Sequence, residues 1–223
     1  MLKGKAVISR LQKRVISTLI NIADFSYFYL TGGTALAEFY FGHRKSYDLD
    51  IFTSHKGLIL PLKRIIEEEL EKEKFYINVV RRFESFAEFE ISQQNEIIKV
   101  QFALDSPFRF EEPLDSELGI KINDYKDIIV DKLLAFFGRV EPRDAVDLYF
   151  ILEKEDFWKL TGLARQKDPG FDLYWMAAAL EKVKSFPDNL NRWPVEMLIE
   201  IDIAKLKNKF LSLAVEIMEK LRK

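Results

Sequence analysis

The chain has 223 residues, of which 48% are hydrophobic and 31% charged, enough for one large domain or two small ones with a real buried core. Its formal net charge of -2 excludes a protein that binds phosphate backbones with its whole surface, so any nucleic-acid contact must come from a local basic patch. With no cysteine and only two histidines, His43 and His55, disulfides, thiolate sites and multi-histidine zinc sites are excluded, and any catalytic metal must take oxygen ligands, as magnesium or manganese does.

In chain order, apolar positions Val7, Ile8, Leu11, Val15, Ile16, Leu19 and Ile20 predict a helix from Lys5 to Ala23. Tyr27 to Leu30 reads as a short strand, and Thr34 to Phe41 as a helix entered through Gly32-Gly33. Asp48 to Thr53 alternates charged and apolar residues, the pattern of a half-buried strand. Pro61 to Lys74 is an amphipathic helix. Three strands follow, Phe75–Phe83, Ala87–Ser92 and Glu96–Leu104, with Gln93-Gln94-Asn95 as the turn between the last two. Glu111 to Leu118, polar and holding Pro113, is a loop or linker. The remainder reads as helices: Lys126–Arg139, Pro142–Leu152, Phe157–Gln166, Phe171–Ser185 and Val195–Leu221. The N-terminus lacks a signal-peptide core and no apolar run approaches a membrane span, so a cytoplasmic protein without a membrane partner is expected.

Two local patterns carry chemistry. Side chains at i and i+2 of a strand point to one side, so Asp48 and Asp50 project together while Leu49 and Ile51 face the opposite layer. Such a pair repels itself unless a cation lies between, and a divalent metal carrying triphosphate oxygens is a natural counter-charge. Taken alone, Asp-x-Asp is a weak signal that exposed strand aspartates also give. Gly32-Gly33-Thr34 follows a strand and opens a helix, where glycine admits a phosphate close to free backbone N–H groups. An ordinary strand-to-helix turn capped by Thr34 has the same look. Their order lets the glycine turn and the acidic pair lie at the same end of adjacent strands. Between them, Arg44 could bind phosphate through its fork of donors and Ser46 could bind phosphate or the metal shell, or the segment is a plain basic loop. His43 has no evident role.

The run GGTALAEFYFGHRKSYDLDIF resembles the first motif of the AbiEii/AbiGii toxin family of nucleotidyltransferases, within the polymerase-β-like superfamily. The later run DIIVDKLLAFFGRVEPRDAVDLYFI is similar to that family's second block. The resemblance implies an α+β fold: a nucleotidyltransferase-type mixed sheet with flanking helices over residues 1–114, then a C-terminal helical bundle over 115–223 that completes the active site. It implies that Gly32, Gly33 and Thr34 contact nucleotide phosphates, that Asp48 and Asp50 hold Mg2+ or Mn2+, and that Lys132 holds the triphosphate. Asp144 and Asp147, at i and i+3 on one helical face, would support the site by orienting Lys132 or the nucleophile. Without the resemblance, Lys132 reads as a solvated lysine and Asp144 as a first-turn aspartate favoured by the helix dipole after Pro142.

One position departs from the superfamily pattern. The third carboxylate is expected on the strand KVQFALD, where Gln101 stands. Asp105, two alternations later on the same strand face, is the candidate substitute metal ligand. Otherwise the site works with two aspartates, or activity is impaired. The function implied is transfer of a nucleoside monophosphate from an NTP to RNA (transfer RNA included) or a protein, as the toxin of a toxin–antitoxin pair with a cognate antitoxin. The competing reading is a catalytically impaired homologue that binds nucleotide or a partner. The last helices carry aromatic residues, Tyr174, Trp175 and Trp193, and the lysines Lys205, Lys207, Lys209, Lys220 and Lys223; core packing and a solvated face are the more ordinary accounts of these, base stacking and a basic patch the alternatives.

Overall fold

The computed structural model describes residues 1–222, so Lys223 of the candidate basic patch lies outside the described residues. The chain divides into two compact units, Met1–Tyr125 and Lys126–Lys223.

The first unit is built on a six-stranded mixed sheet. Its strands are β1 (Tyr29–Thr31), β2 (Leu49–Thr53), β3 (Tyr76–Arg82), β4 (Phe86–Gln93), β5 (Glu96–Leu104) and β6 (Lys121–Ile122), in the order β3-β4-β5-β2-β1-β6. β2 pairs parallel with β5 and antiparallel with β1, which pairs parallel with β6. The alternation read in the sequence decides the faces. Leu49, Ile51, Phe89, Ile91, Val100 and Phe102 are all at most 1% exposed and share one face by register. Helices α1 (Arg10–Leu19) and α3 (Ile59–Lys72) pack against β5 there, α3 reaching β4 and β3 as well. Phenylalanine fills that layer: Phe102 meets Phe25, Phe28 and Phe89 edge-on at 6.4, 6.0 and 5.8 Å between centroids. Rings of this size give each buried position a large apolar area, with a further preference for the edge-to-face arrangement.

Two predicted boundaries move for identifiable reasons. α1 starts at Arg10 rather than Lys5 because Ser9 and Gln12 form a capping box, each side chain bonding the other's backbone N–H. The residues before it do not wind into helix, because the carboxylate of Glu38 takes the N–H groups of Ala6, Val7 and Ile8 at 3.2, 2.5 and 2.9 Å. The helix predicted from Thr34 begins at Gly32 as α2 (Gly32–Ala35) and runs on as a π-helical segment, Leu36–Phe41. The bond from Gly42 N to Ala37 O at 2.8 Å spans five residues, the mark of that wider coil. Gly42 then ends it in the left-handed region at φ +68°.

The second unit is helical: α4 (Tyr125–Arg139, opening at the boundary), α5 (Pro142–Ile151), α6 (Phe157–Lys167), α7 (Leu173–Glu181) and α8 (Ile203–Leu221). Its core includes Leu133, Phe136, Leu148, Leu160, Met176, Leu206 and Phe210, each at most 1% exposed, with Phe136 and Phe210 in an edge contact at 5.3 Å. α8 does not begin at Val195 as the apolar spacing predicts. Asp202 caps it, accepting from Lys205 N at 3.1 Å, and Leu198 and Ile199 before the cap stay largely exposed. The fold is therefore α+β, a mixed sheet with flanking helices followed by an all-helical segment.

Candidate active site

The glycine turn and the acidic pair meet where β1 and β2 lie side by side. In the antiparallel register Thr31 is opposite Asp50, so the turn that leaves β1 starts next to that carboxylate. Gly32 has φ +69°, and a Cβ placed on it would fall 2.8 Å from Asp50 Cγ. Two demands thus converge on one residue: a left-handed backbone, and no side chain against Asp50. The Thr34 hydroxyl donates to the Asp48 carbonyl, which ties the start of α2 to the residue just before β2. Thr34 is buried, so its hydroxyl is a clasp between turn and acidic segment.

A residue to which no sequence signal pointed fixes this corner. Asn123 is 1% exposed, and its amide donates to the Thr31 hydroxyl at 3.0 Å. Its side-chain oxygen accepts from Arg109 at 3.1 Å, its N–H donates to the Leu30 carbonyl at 2.9 Å, and its carbonyl accepts from the Tyr40 hydroxyl at 2.9 Å. Asn123 therefore locks β1, the π-helical segment and the end of β6 together just before Gly32. Burial, helped by the negative charge of Asp124, holds the Tyr40 hydroxyl protonated well above the ordinary tyrosine range.

The remaining predicted positions of the first unit fall as follows. Gly33 is buried within α2. Arg44 is 6% exposed and donates to the Lys45 carbonyl at 2.9 Å, and the carbonyl of Ser46 accepts from Gln12 at 2.9 Å. Each therefore has a part in holding the loop between the glycine turn and β2. Gln101 is the register partner of Asp50 across β2 and β5. Asp105 is four residues further on, just past the end of β5 and about 13 Å away at the rise of a strand, and is not brought to the acidic pair. Its carboxylate accepts from the Tyr29 hydroxyl and pairs with Arg109 at 3.2 Å. Tyr29 and Arg109 compensate Asp105 at the opposite end of the strands.

Within the second unit, Lys132 and Asp147 form a buried ion pair at 2.8 Å, their side chains 9% and 0% exposed. Asp144 stands apart from that pair: the guanidinium of Arg139 grips it in a fork at 2.6 and 2.7 Å. Sequence reasoning missed a third pairing. Lys167, at the end of α6, meets Asp127 at 2.8 Å and Asp131 at 2.7 Å on α4. Burial opposes the Lys167 charge, but the carboxylates of Asp131 and Asp127 outweigh it and hold its pKa above the ordinary lysine value.

Asp48 and Asp50 are the residues that could hold a metal. Among the described residues no group of three or more acidic or histidine side chains is placed to do so. The donor set still fits a hard divalent cation, since both ligands are carboxylates and the absent Cβ of Gly32 leaves the Asp50 carboxylate room against backbone. A cation there would need further oxygens from a bound substrate. No described helix is long and apolar enough to cross a membrane.

Comparison with known proteins decides the family. A family model described as nucleotidyl transferase AbiEii toxin, of a type IV toxin–antitoxin system, matches residues 14–209. The chain belongs to the AbiEii family. The AbiEii match runs from α1 into α8, so it takes in the C-terminal helices in which the sequence shows no motif. An uncharacterised protein of Aquifex aeolicus (strain VF5) is 29% identical over 173 residues, 72% of this chain and 76% of its own. Among solved structures, a candidate nucleotidyltransferase from Helicobacter pylori superposes with TM-score 0.58 at 18% identity, covering 96% of this chain and 98% of that one. MenT4, a nucleotidyltransferase toxin of Mycobacterium tuberculosis H37Rv, gives TM-score 0.57 at 13% identity, with 93% and 82% covered. At these identities the two structures speak for a shared nucleotidyltransferase fold. This AbiEii protein thus has the fold that its Gly-Gly and Asp-x-Asp segments led one to expect.

Proposed function

We propose that this protein is a metal-dependent nucleotidyltransferase that moves a nucleoside monophosphate from an NTP to an acceptor, as the toxin of a toxin–antitoxin pair. The observation that supports it most is the corner in which Gly32, at φ +69°, leaves its side-chain space to the Asp50 carboxylate. A structural turn needs the positive φ but not the carboxylate against it.

In this reading Asp48 and Asp50 hold Mg2+ or Mn2+, which when bound supplies positive charge to the phosphate oxygens. Gly32, Gly33 and the first N–H groups of α2 receive phosphate at close range, and Thr34 keeps that turn fixed to the acidic segment. Arg44 and Ser46 hold the intervening loop. Lys132 is a phosphate-binding lysine that Asp147 orients, and Asp144 secures the start of α5 through Arg139. Much of the rate then comes from positioning and charge neutralisation rather than from covalent chemistry. The acceptor class is RNA, transfer RNA included, or a protein hydroxyl, and the partner is a cognate antitoxin.

Incubation with each α-phosphate-labelled NTP, Mg2+ and total RNA tests this. Label should pass to an acceptor, and Asp48→Ala or Asp50→Ala should lower the rate by about 10²–10³-fold, the scale of removing one preorganised electrostatic group. Gln101, in place of the expected acid, favours a second reading, a nucleotide-binding homologue without turnover. Tight NTP binding with no label transfer to RNA or protein would establish that reading instead.

A further inference from the structure

The absent acid at position 101 has a counterpart one strand outward. In the register of β2, β5 and β4, Asp50 lies beside Gln101 and Gln101 beside Glu88, so the three side chains form a row on one face of the sheet. Glu88 is 3% exposed, a burial that a carboxylate tolerates only when it is well partnered. One of its oxygens accepts from Gln101 Nε2 at 2.7 Å, and the other faces Lys99 Nζ at 3.8 Å.

A carboxylate can only accept, so Glu88 must be met by the NH2 end of the Gln101 amide. That fixes the amide against the flip it would otherwise make freely. Its carbonyl oxygen is thereby turned away from Glu88, and the neighbour on the other flank is the strand that carries Asp50. The same geometry explains why position 101 holds no acid. A glutamate or aspartate there would stand beside the buried Glu88 carboxylate, and two such groups cannot comfortably both be charged.

We infer that Gln101 supplies the third oxygen of the cation site, a neutral one next to Asp50, and that Glu88 is a positioning residue that holds the Gln101 amide in the orientation this requires. The inference rests on the nucleotidyltransferase reading of Asp48 and Asp50. It makes the site one of two charged ligands plus an oriented amide.

The test is Mn2+ affinity, read by the EPR signal of free Mn2+ in the presence of a non-hydrolysable NTP analogue, together with urea unfolding of the metal-free protein. The variants are Gln101→Leu, Glu88→Ala, Glu88→Gln, Gln101→Glu and the exchange Gln101→Glu with Glu88→Gln; Asp50→Ala is the reference. Gln101→Leu and Glu88→Ala should weaken Mn2+ binding roughly 10- to 100-fold, the scale of losing a group that orients a metal ligand. Glu88→Gln can still accept from the Gln101 amide and should stay within about threefold of wild type. Gln101→Glu alone should lower the urea midpoint, and the exchange, which moves the acid to 101 and the amide to 88, should restore the midpoint and bind Mn2+ at least as tightly as wild type. A purely structural Glu88 would shift the urea midpoint and leave Mn2+ affinity alone. Wild-type Mn2+ affinity in Gln101→Leu and Glu88→Ala, with affinity lost in Asp50→Ala, would overturn the inference and spare the two-aspartate site. Unchanged affinity in Asp50→Ala would overturn both.

Discussion

The two units bury their carboxylates in different ways. In the second unit each buried acid pairs with a basic side chain: Asp147 with Lys132, Asp144 with Arg139, and Asp127 with Lys167, which it shares with Asp131. In the first unit Glu38 is held by three backbone N–H groups and Glu88 by the amide of Gln101, with Lys99 further off. Backbone and amide donors satisfy a carboxylate without cancelling its charge; ion pairs do both. The two buried acids of the first unit are thus met at closest range by neutral donors, whereas the helical unit spends its charges on fixing its own helices.

The largest expected effect attacks an ion pair. Asp147→Ala leaves the Lys132 ammonium, 9% exposed, without its partner, and should cost about 3–5 kcal/mol of unfolding free energy in urea titration. Asp144→Ala is the contrasting case. The Arg139 side chain is 45% exposed and can return to water, so the loss should be smaller, about 1–3 kcal/mol, most of it the hydrogen bonds of the fork. Equal losses would show that solvent access does not set the cost, and the contrast between these two pairs would fail.

Next comes the acid held by neutral donors. Glu38→Ala leaves the N–H groups of Ala6, Val7 and Ile8 without their acceptor and frees the segment that leads into α1. A destabilisation of about 2–3 kcal/mol is expected, along with faster amide hydrogen exchange confined to residues near 6–8. Exchange as slow as in wild type would mean that Glu38 does not anchor that segment.

These contrasts also show what the sequence could and could not reveal. Gly32-Gly33 and Asp-x-Asp were legible because turn chemistry and strand alternation are local, and adjacency of two strands was enough to bring them together. The start of α8 was not legible: the apolar spacing of Leu198 and Ile201 argued for a start at Val195, and the Asp202 cap shows only in the fold. Glu38, Glu88 and Asn123 were not legible. Each is a polar residue whose meaning comes from a distant partner: Asn123 meets Thr31 92 positions away, and Glu88 meets Gln101 only through the hairpin register. The pairing of Lys132 with Asp147 turned what reads as a solvated lysine into a buried one. β6, two residues long, has no periodicity to detect.

Gly32→Ala should cost about 1–2 kcal/mol in stability, the penalty of a left-handed backbone for an L-residue. Its effect on label transfer should exceed what that figure suggests, because the new methyl displaces the Asp50 carboxylate. Gly42→Ala, also at positive φ but with Lys5 rather than an acid nearby, is the control for strain alone. Should both variants lose transfer equally, the Gly32 corner is structural and no different from the end of the π-helical segment.

The smallest effect concerns pH. Lys167 has its pKa raised in the folded state, despite burial, by Asp131 and Asp127. The folded protein then holds a proton that the unfolded chain releases once pH passes about 10.4, the ordinary lysine value. The stability contributed by this pair is therefore complete below that point and is lost as pH rises towards the folded value. Tyr40, whose pKa is raised mainly by burial, acts in the same direction: its neutral form is favoured in the fold, and stability falls once the unfolded tyrosine begins to ionise near about 10. Thermal midpoints should thus be flat through neutral pH and decline above about pH 10. Lys167→Met should lower the midpoint at pH 8, where it takes a shared cation from Asp127 and Asp131, yet make the alkaline decline shallower by removing one of the groups that carry it. A decline of unchanged slope would mean that the Asp127–Lys167–Asp131 group does not carry the proton linkage, and that the helical unit's charge pairing is less complete than its distances imply.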